Sequence, residues 1–202
     1  MQEILNFLEK LSKENYKFEI PNEKCRIALI KAIEEMSKFE NFMGILNHTL
    51  RVASNALLLA KRKRLNSRNK EILFLSAIFH DVYKMDEGKH TIKGAEFAKK
   101  ILKSLDYSDD FCNEVYSAII KHTESFLKPE KITEKILYDA DKLDKIGVFG
   151  ILRRTLNSED FSKDKEKILK RLKEDTNQKF YLKISKKIAE ERIKNEKEIL
   201  KF

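Results

Sequence analysis

The sequence ILFLSAIFHD occupies residues 72–81, where the most apolar run of the chain is followed by a histidine and an aspartate. The apolar part is far shorter than the roughly 20 residues that a membrane-spanning helix needs. Asn66 and Ser67 give a turn and N-cap signal shortly before it. We therefore expect a helix from Asn69 to about Asp81 that delivers His80 and Asp81 at its C-terminal end.

Outward from this segment, apolar residues recur at helical rather than alternating spacing, and no strand is predicted. Five Gly, two Pro and abundant Lys, Glu, Leu and Ile favour helices joined by short connections. We therefore expect an all-α fold. The other expected helices cover residues 22–39, 46–64, 91–105, 108–122 and 133–145, with a further stretch from Gly147 through Arg154.

Two features of the N-terminal half carry local predictions. Asn22 is expected to cap the first helix, and Gly44 is expected to mark a break before the second. A polar loop that contains Gly88 should precede the fourth helix. The inward face of the first helix is expected to contain Ile27, Ile30, Ile33 and Met36, or alternatively Leu29 and Ile33.

Length and composition describe an ordinary globular protein. With 202 residues and 42% hydrophobic residues, the chain is most simply one domain. Its net charge of +9 favours an anionic partner, although dispersed lysines would also give a merely soluble basic surface. The N-terminus lacks the pattern of a secretory signal. Cys25 and Cys112 have no CxxC partner, which indicates buried thiols in a reducing compartment. We expect a cytoplasmic protein.

The histidines are concentrated beside carboxylates. All four lie in one 75-residue stretch: His48, His80, His90 and His122. Imidazole nitrogen and carboxylate oxygen together suit Mn, Fe, Co or Zn. Ligands from three predicted helices would hold one ion and leave coordination positions open for water and substrate, as a catalytic site requires. The expected metal ligands are His48, His80, Asp81 and Asp141.

Three segments carry a resemblance to a known family. HTLRV at 48–52, FHDV at 79–82 and DADKLDKIG at 139–147 resemble the HD-domain metal-dependent phosphohydrolases in order, spacing and context. The resemblance covers residues 40–155 and implies a compact all-helical HD bundle with extra N- and C-terminal helices. Beyond this region the composition shifts to charged helix with fewer apolar positions, so we expect one domain, 1–202, in which 156–202 form a C-terminal helical extension. The family's signature ligands map onto the four residues just named.

The resemblance is to small soluble members with a Gly-x-x-Gly-Ile-x-Arg-like tail, here Gly147 to Arg153. The chain lacks the Gly-Tyr-Pro motif of the cyclic-dinucleotide branch, and Tyr83 stands where many members carry Gly, which is expected to alter the pocket floor. The implied activity is hydrolysis of a phosphate ester or nucleotide at a phosphomonoester, phosphodiester or pyrophosphate bond. The implied cofactor is Mn, Ni, Co, Fe, Zn or Mg, with one or two ions per chain.

His90 and His122 are the residues expected to hold a second ion, since two-metal relatives use histidines in equivalent places. Alternatively, they bind substrate phosphate or are structural. The expected catalytic residues are Asp81 as proton acceptor, Lys84 as a charge neutraliser, and Asp144 as a base or as the residue that orients a ligand. The expected substrate-binding residues are Arg51, Lys84, His90, His122 and Arg153.

Other interpretations stay open at this stage. Arg51 is as consistent with a structural ion pair as with phosphate binding. Solvent exposure is the simpler expectation than a basic lining for Lys142, Arg153 and Arg154. A non-enzymatic nucleotide- or RNA-binding protein and a di-iron oxygenase are the alternative functions. The expected partner is a phosphorylated small molecule or nucleotide, with nucleic acid less favoured and no membrane. The C-terminal helices could form a homodimer, cover the cavity or complete the core.

Overall fold

The computed structural model describes residue 10 and residues 12–86, 90–123, 127–156 and 161–200. Those residues form helices and turns without any strand, so the expected all-α fold is confirmed. Gly88, in the expected loop, and Ser158, at the start of the charged C-terminal segment, lie outside the described residues. The helices with described bounds are α1 (Glu23–Met36), α2 (Phe42–Arg62), α3 (Ser67–Phe79), α4 (His90–Ser104), α5 (Asp109–Lys121), α6 (Ile132–Leu143), α7 (Gly147–Leu156), α8 (Phe161–Thr176) and α9 (Lys183–Leu200).

Helix α3 lies at the centre of the bundle. Every residue from Ile72 to Phe79 is buried, and α1, α2, α4, α5 and α6 all pack against α3. A helix that is apolar on all sides is stable in water only where neighbours cover it all round. The bundle therefore assembles around this segment. His80 is the C-cap residue of α3 and Asp81 lies in the following turn, so the polar pair leaves the core at one defined point.

The expected helix starts are formed by side-chain caps. A capping oxygen satisfies one of the backbone N–H groups that the first turn of a helix leaves free. Three such caps accept from the backbone N–H three residues on: Asn22 from Cys25 (2.9 Å), Asn66 from Asn69 (2.9 Å) and Ser108 from Phe111 (3.4 Å). These starts could be predicted because the interaction is local.

The helix boundary predicted at Gly44 was wrong. Helix α2 begins before Gly44 and continues through it, so this glycine does not break the chain. Of the two inward faces predicted for α1, the one with Leu29 and Ile33 is confirmed, since Leu29 is fully buried and Ile33 packs against the core. The other face is wrong at Ile27, which is 37% exposed.

The C-terminal helices are joined to the bundle by buried polar contacts. Asp139 accepts the backbone N–H groups of Tyr181 (2.8 Å) and Leu182 (3.0 Å) ahead of α9, so its role is structural. Gly147 has φ +75° at the start of α7, and its N–H donates to the Glu196 carboxylate at 2.7 Å. Helix α8 packs against α7. Among the described helices, none combines the length and apolarity that spanning a bilayer would need.

Candidate metal centre

The predicted ligands converge from five parts of the bundle. Helices α2 and α6 contribute one residue each, the turn after α3 contributes two, and the start of α4 and the end of α5 contribute one each. All of them except His90 are buried. Two sets have ligand atoms within 4.8 Å of one another: His48, His80 and Asp141, and His80, Asp81 and His122.

Backbone and carboxylate partners fix the orientation of three imidazoles. His80 Nδ1 donates to the carbonyl of Ala77 at 2.7 Å, and His122 Nδ1 donates to the carbonyl of Ile119 at 2.6 Å. His48 Nδ1 donates to Asp144 at 2.6 Å. With the proton on Nδ1, each ring keeps its Nε2 lone pair for another partner. The three Nε2 atoms are therefore directed into the cluster as acceptors, as metal-binding histidines are.

Asp81 lies between the two sets of histidines. Its Oδ2 is 3.4 Å from Nε2 of His48 and 3.5 Å from Nε2 of His80. Its Oδ1 is 3.6 Å from Nε2 of His122 and 3.9 Å from Nε2 of His90. Asp141 Oδ1 lies 3.4 Å from Nε2 of His48, and a ligand atom of His80 lies within 4.8 Å of this pair. The Asp81 carboxylate can therefore serve ligand positions on both of its sides.

The pKa values in the cluster describe two anionic carboxylates that attract positive charge. Burial opposes ionisation of Asp81 and Asp141, but neighbouring histidines and lysines hold the pKa of both well below the usual value. Burial lowers the pKa of His80 to about 3. Burial also acts to lower the pKa of His48, but hydrogen bonds to Asp141, Asp144 and Asp81 raise it to about 10. A proton or a cation is therefore favoured at Nε2 of His48.

Asp144 lies behind His48 and holds it in place. It accepts from His48 Nδ1 and, at 3.1 Å, from Nη2 of Arg51, and its side chain is 1% exposed. Arg153 Nη1 lies 3.4 Å from His48 Nδ1. These contacts fit the orienting role for Asp144 rather than that of a base facing the ligand atoms. Arg51 forms the structural ion pair, and its guanidinium also lies 5.6 Å from the ring centroid of Phe149.

A cleft of about 610 Å³ opens over the cluster. His48, Asp81 and Asp141 lie at its base, while Arg51, Tyr83, His80, His90 and His122 do not line it. Tyr83, expected to alter the pocket floor, instead donates its hydroxyl to Glu35 at 2.8 Å. The other lining residues are Asn41, Gly44, Ile45, Lys84, Lys145, Arg153, Arg154, Asp164, Lys167, Ile168, Arg171, Asp175 and Gln178.

The cationic side chains around the cleft agree only partly with the sequence-based expectation. Lys84 lies beside the cluster as expected, with Nζ 3.1 Å from Asp81 Oδ2. Lys145 was missed, although it follows Asp141 by one helical turn and lies 2.7 Å from it. Lys142 was expected to face solvent but is 11% exposed, with Nζ 3.3 Å from Asp141. Arg154 also lines the cleft, paired with Asp175.

The donor set fits a divalent metal ion. Three imidazoles present their Nε2 atoms and two carboxylates carry negative charge, which is the ligand chemistry of first-row transition metals. His90 Nε2 is a buried atom that has no hydrogen-bond partner among the described residues. A buried polar atom without a partner is costly, and a ligand or ion supplies one. The residues that would hold an ion are His48, His80, Asp81 and Asp141.

Together, the all-helical bundle and its buried histidine–aspartate cluster define the class of protein. The family model for the HD domain matches residues 45–146. This match spans half of the chain, so the chain belongs to the HD-domain family. A search of curated protein sequences finds no match.

Solved structures resemble the chain over most of its length. A predicted HD superfamily hydrolase from an uncultured Thermotogales bacterium is 27% identical, with a TM-score of 0.67 over 87% of this chain and 88% of that one. An HD-superfamily hydrolase from Bacillus thuringiensis is 20% identical, with a TM-score of 0.60 over 87% and 92%. Bacillus subtilis YpgQ in complex with ADP is 18% identical, with a TM-score of 0.60 over 86% and 94%. The last two likenesses show the fold alone.

Proposed function

We propose that this protein is a divalent-metal-dependent phosphohydrolase that cleaves a phosphate ester or nucleotide. One observation carries the proposal: Nδ1 of His48, His80 and His122 is each hydrogen-bonded outside the cluster, so that three Nε2 atoms meet around Asp81. A structural metal site closes its coordination shell with protein ligands, whereas this cluster lies at the base of an open cleft. The arrangement favours a reactive ion over a structural one.

In this hydrolysis the oxygen of water forms the new bond to phosphorus, and the P–O bond to the leaving group breaks. A bound divalent ion would supply Lewis acidity that activates water and offsets phosphoryl charge. Asp81 accepts the proton of the attacking water, because its carboxylate is central to the cluster and borders the cleft. Lys84 is about half exposed beside Asp81 and neutralises charge that develops on the phosphoryl oxygens.

A second ion is part of the proposal. Asp81 Oδ1 faces His122 and His90, while Oδ2 faces the first set of ligands. The unpartnered Nε2 of His90 supports a ligand role on that side. One or two ions would therefore bind per chain, and Mn, Ni, Co, Fe, Zn and Mg are the metals to test.

For the substrate, a nucleotide is the favoured class. The chain's net charge of +9 suits an anionic ligand, and the structurally similar YpgQ was solved with ADP bound. Arg153 lines the cleft and would contact the phosphate groups, whereas Arg51 is paired with Asp144 and does not line it. For His90 and His122, phosphate binding is the alternative proposal to a second ion. A homodimer and a cytoplasmic location remain proposals.

The deciding experiment combines metal replacement with a substrate screen. Metal-stripped protein receives each divalent ion in turn and is assayed for phosphatase, pyrophosphatase and phosphodiesterase activity. We expect metal-dependent turnover in the wild type and its loss in Asp81→Asn, which keeps the shape of the side chain but removes its charge. Asp110→Asn is the matched control, since Asp110 is an exposed aspartate on α5. Equal activity of Asp81→Asn and Asp110→Asn would refute the assignment.

The same samples distinguish the alternative functions. Two iron ions per chain with an oxidised-iron absorption band would identify a di-iron oxygenase. A metal-loaded protein that is inert against the whole panel but binds RNA with steep salt dependence would identify a non-enzymatic binding protein.

A further inference from the structure

One wall of the cleft comes from outside the part of the chain that matches the HD-domain model. That match ends at residue 146, and α8 begins at Phe161. The lining residues of α8 recur at helical spacing: Asp164, Lys167, Ile168, Arg171 and Asp175. One face of the helix therefore borders the cleft over twelve residues, which span about 16 Å at the rise of an α-helix.

Helix α8 is held in this position by packing and by a buried ion pair. Ile168 and Leu172 are buried, at 7% and 1% exposure. Arg154 donates to Asp175 Oδ2 through Nε at 3.1 Å and through Nη2 at 2.6 Å. The Asp175 side chain is only 8% exposed, which makes this contact stronger than a surface ion pair. The wall is therefore a fixed part of the cleft.

The cations on α8 are less neutralised than those at the base of the cleft. Lys84 and Lys145 each contact a ligand carboxylate within 3.1 Å. Lys167, in contrast, has no ion-pair partner among the described residues. Arg171 pairs only with Glu174 of its own helix, in a contact where both side chains are about half exposed or more. Such pairs contribute little, so both cations are available to an anionic ligand.

The charge of the lining indicates the charge of the ligand. Six cationic side chains and four carboxylates border the cleft, which leaves two positive units in excess. A divalent ion at the cluster raises the excess to about four. A single phosphate dianion balances the ion but leaves the α8 cations unmatched. A ligand with several linked phosphates balances both.

Resting on the proposed function, we infer that Lys167 and Arg171 bind the phosphate groups of the substrate that lie away from the metal cluster. These residues select a polyphosphate chain over a lone phosphate. They act by contact with the substrate and take no part in activating water.

Binding to metal-stripped, full-length protein tests this inference without relying on turnover. The probes are inorganic tripolyphosphate and inorganic phosphate, titrated by calorimetry at low salt. The variant Lys167→Gln/Arg171→Gln is compared with Lys165→Gln/Lys170→Gln. The control pair loses the same charge from the same helix, and its exposed side chains do not line the cleft. Glutamine keeps the helix propensity of lysine and arginine.

We expect Lys167→Gln/Arg171→Gln to weaken tripolyphosphate binding about tenfold, since each partly exposed contact contributes about threefold. Phosphate binding should change less than twofold, and the control variant should bind both anions as the wild type does. Equal losses in the two variants would assign the effect to general surface charge and overturn the inference. Wild-type protein that does not favour tripolyphosphate over phosphate would overturn it as well. A metal-loaded protein without hydrolytic activity would refute the proposed function and leave this binding result intact.

Discussion

Replacement of Glu134 by Gln should destabilise the bundle and reveal how its metal-bearing helices are joined. Glu134 lies in the first turn of α6 and is fully buried. Its carboxylate accepts the backbone N–H groups of Glu130 (2.7 Å) and Lys131 (3.0 Å). It also accepts from Ser117 Oγ (2.7 Å) and from Lys121 Nζ (3.1 Å), both on α5. One side chain therefore caps α6 and ties it to α5.

The expected cost of Glu134→Gln is about 3 kcal/mol at pH 7, at the low end of the 3–5 kcal/mol that breaking a buried ion pair costs. Glutamine keeps the shape of the side chain and one acceptor oxygen. Its NH₂ group, however, replaces the second acceptor oxygen and faces N–H and O–H groups that donate to an acceptor. Lys121, 13% exposed, would lose its main partner. For a chain of this size, that loss lowers the melting temperature by about 6–12 °C.

The effect of this substitution should depend on pH. Burial opposes ionisation of Glu134, but hydrogen bonds from Glu130, Ser117, Lys131 and Lys121 outweigh it and lower the pKa in the folded protein. In the unfolded chain the pKa is about 4.3. A carboxyl group whose folded pKa is lowered contributes its full stabilisation above the unfolded value, and loses it as the pH falls through the folded value. The stability difference between wild type and variant should therefore narrow below about pH 4.

Urea denaturation of both proteins between pH 7 and pH 3 provides the measurement, with Glu190→Gln as the control. Glu190 is an exposed glutamate of α9, and its replacement should change the free energy of unfolding by less than about 0.5 kcal/mol. A Glu134→Gln cost below about 1 kcal/mol, or one that stays constant across the pH range, would refute the argument from charge-assisted hydrogen bonds.

Two further substitutions probe the site and the core. Asp144→Asn should weaken metal affinity about 10- to 100-fold, because it removes the charge that orients His48; a competition titration against a chelating dye measures this. Asp139→Asn is the control, because Asp139 is also a buried carboxylate but binds the backbone ahead of α9. It should leave metal affinity unchanged, and equal losses of metal affinity in the two variants would count against an orienting role for Asp144. Phe79→Ala should cost about 3–5 kcal/mol in urea denaturation because Phe79 is fully buried at the end of α3; a loss below about 1 kcal/mol would show a loosely packed core.

The parts of the fold that could be predicted depend on neighbouring residues. The caps at Asn22, Asn66 and Ser108 use side chains three residues from their backbone partners, so the sequence alone identifies them. The apolar segment that forms α3 is likewise visible without a structure. The error at Gly44 has a different origin, since a glycine weakens a helix without forbidding it, and α2 continues through this position. Local propensity alone does not decide where a helix begins.

The sequence predicts which residues form the cluster, but it does not predict how they contact one another. The order and spacing of His48, His80, Asp81 and Asp141 predict a ligand set, and these four residues do lie together. The sequence does not show that Asp144 contacts Arg51 across 93 positions, so a base stayed open for Asp144 beside the favoured orienting role. Lys145 was missed because lysine is common in this chain and only the fold distinguishes one that contacts a ligand carboxylate.

The metal cluster and the α8 wall of the cleft are held in place by different contacts. The residues of the cluster surround the C-terminal end of α3, where packing of the apolar core holds their positions. The α8 wall packs against α7, and Arg154 of α7 is paired with Asp175 of α8. A change in α8 can therefore alter which anions the cleft accepts while Asp81 and its histidines stay in place. On this argument, Arg154→Gln should weaken tripolyphosphate binding by displacing Lys167 and Arg171 together, and should leave metal affinity at its wild-type value. A fall in metal affinity for Arg154→Gln would instead show that wall and cluster are mechanically coupled.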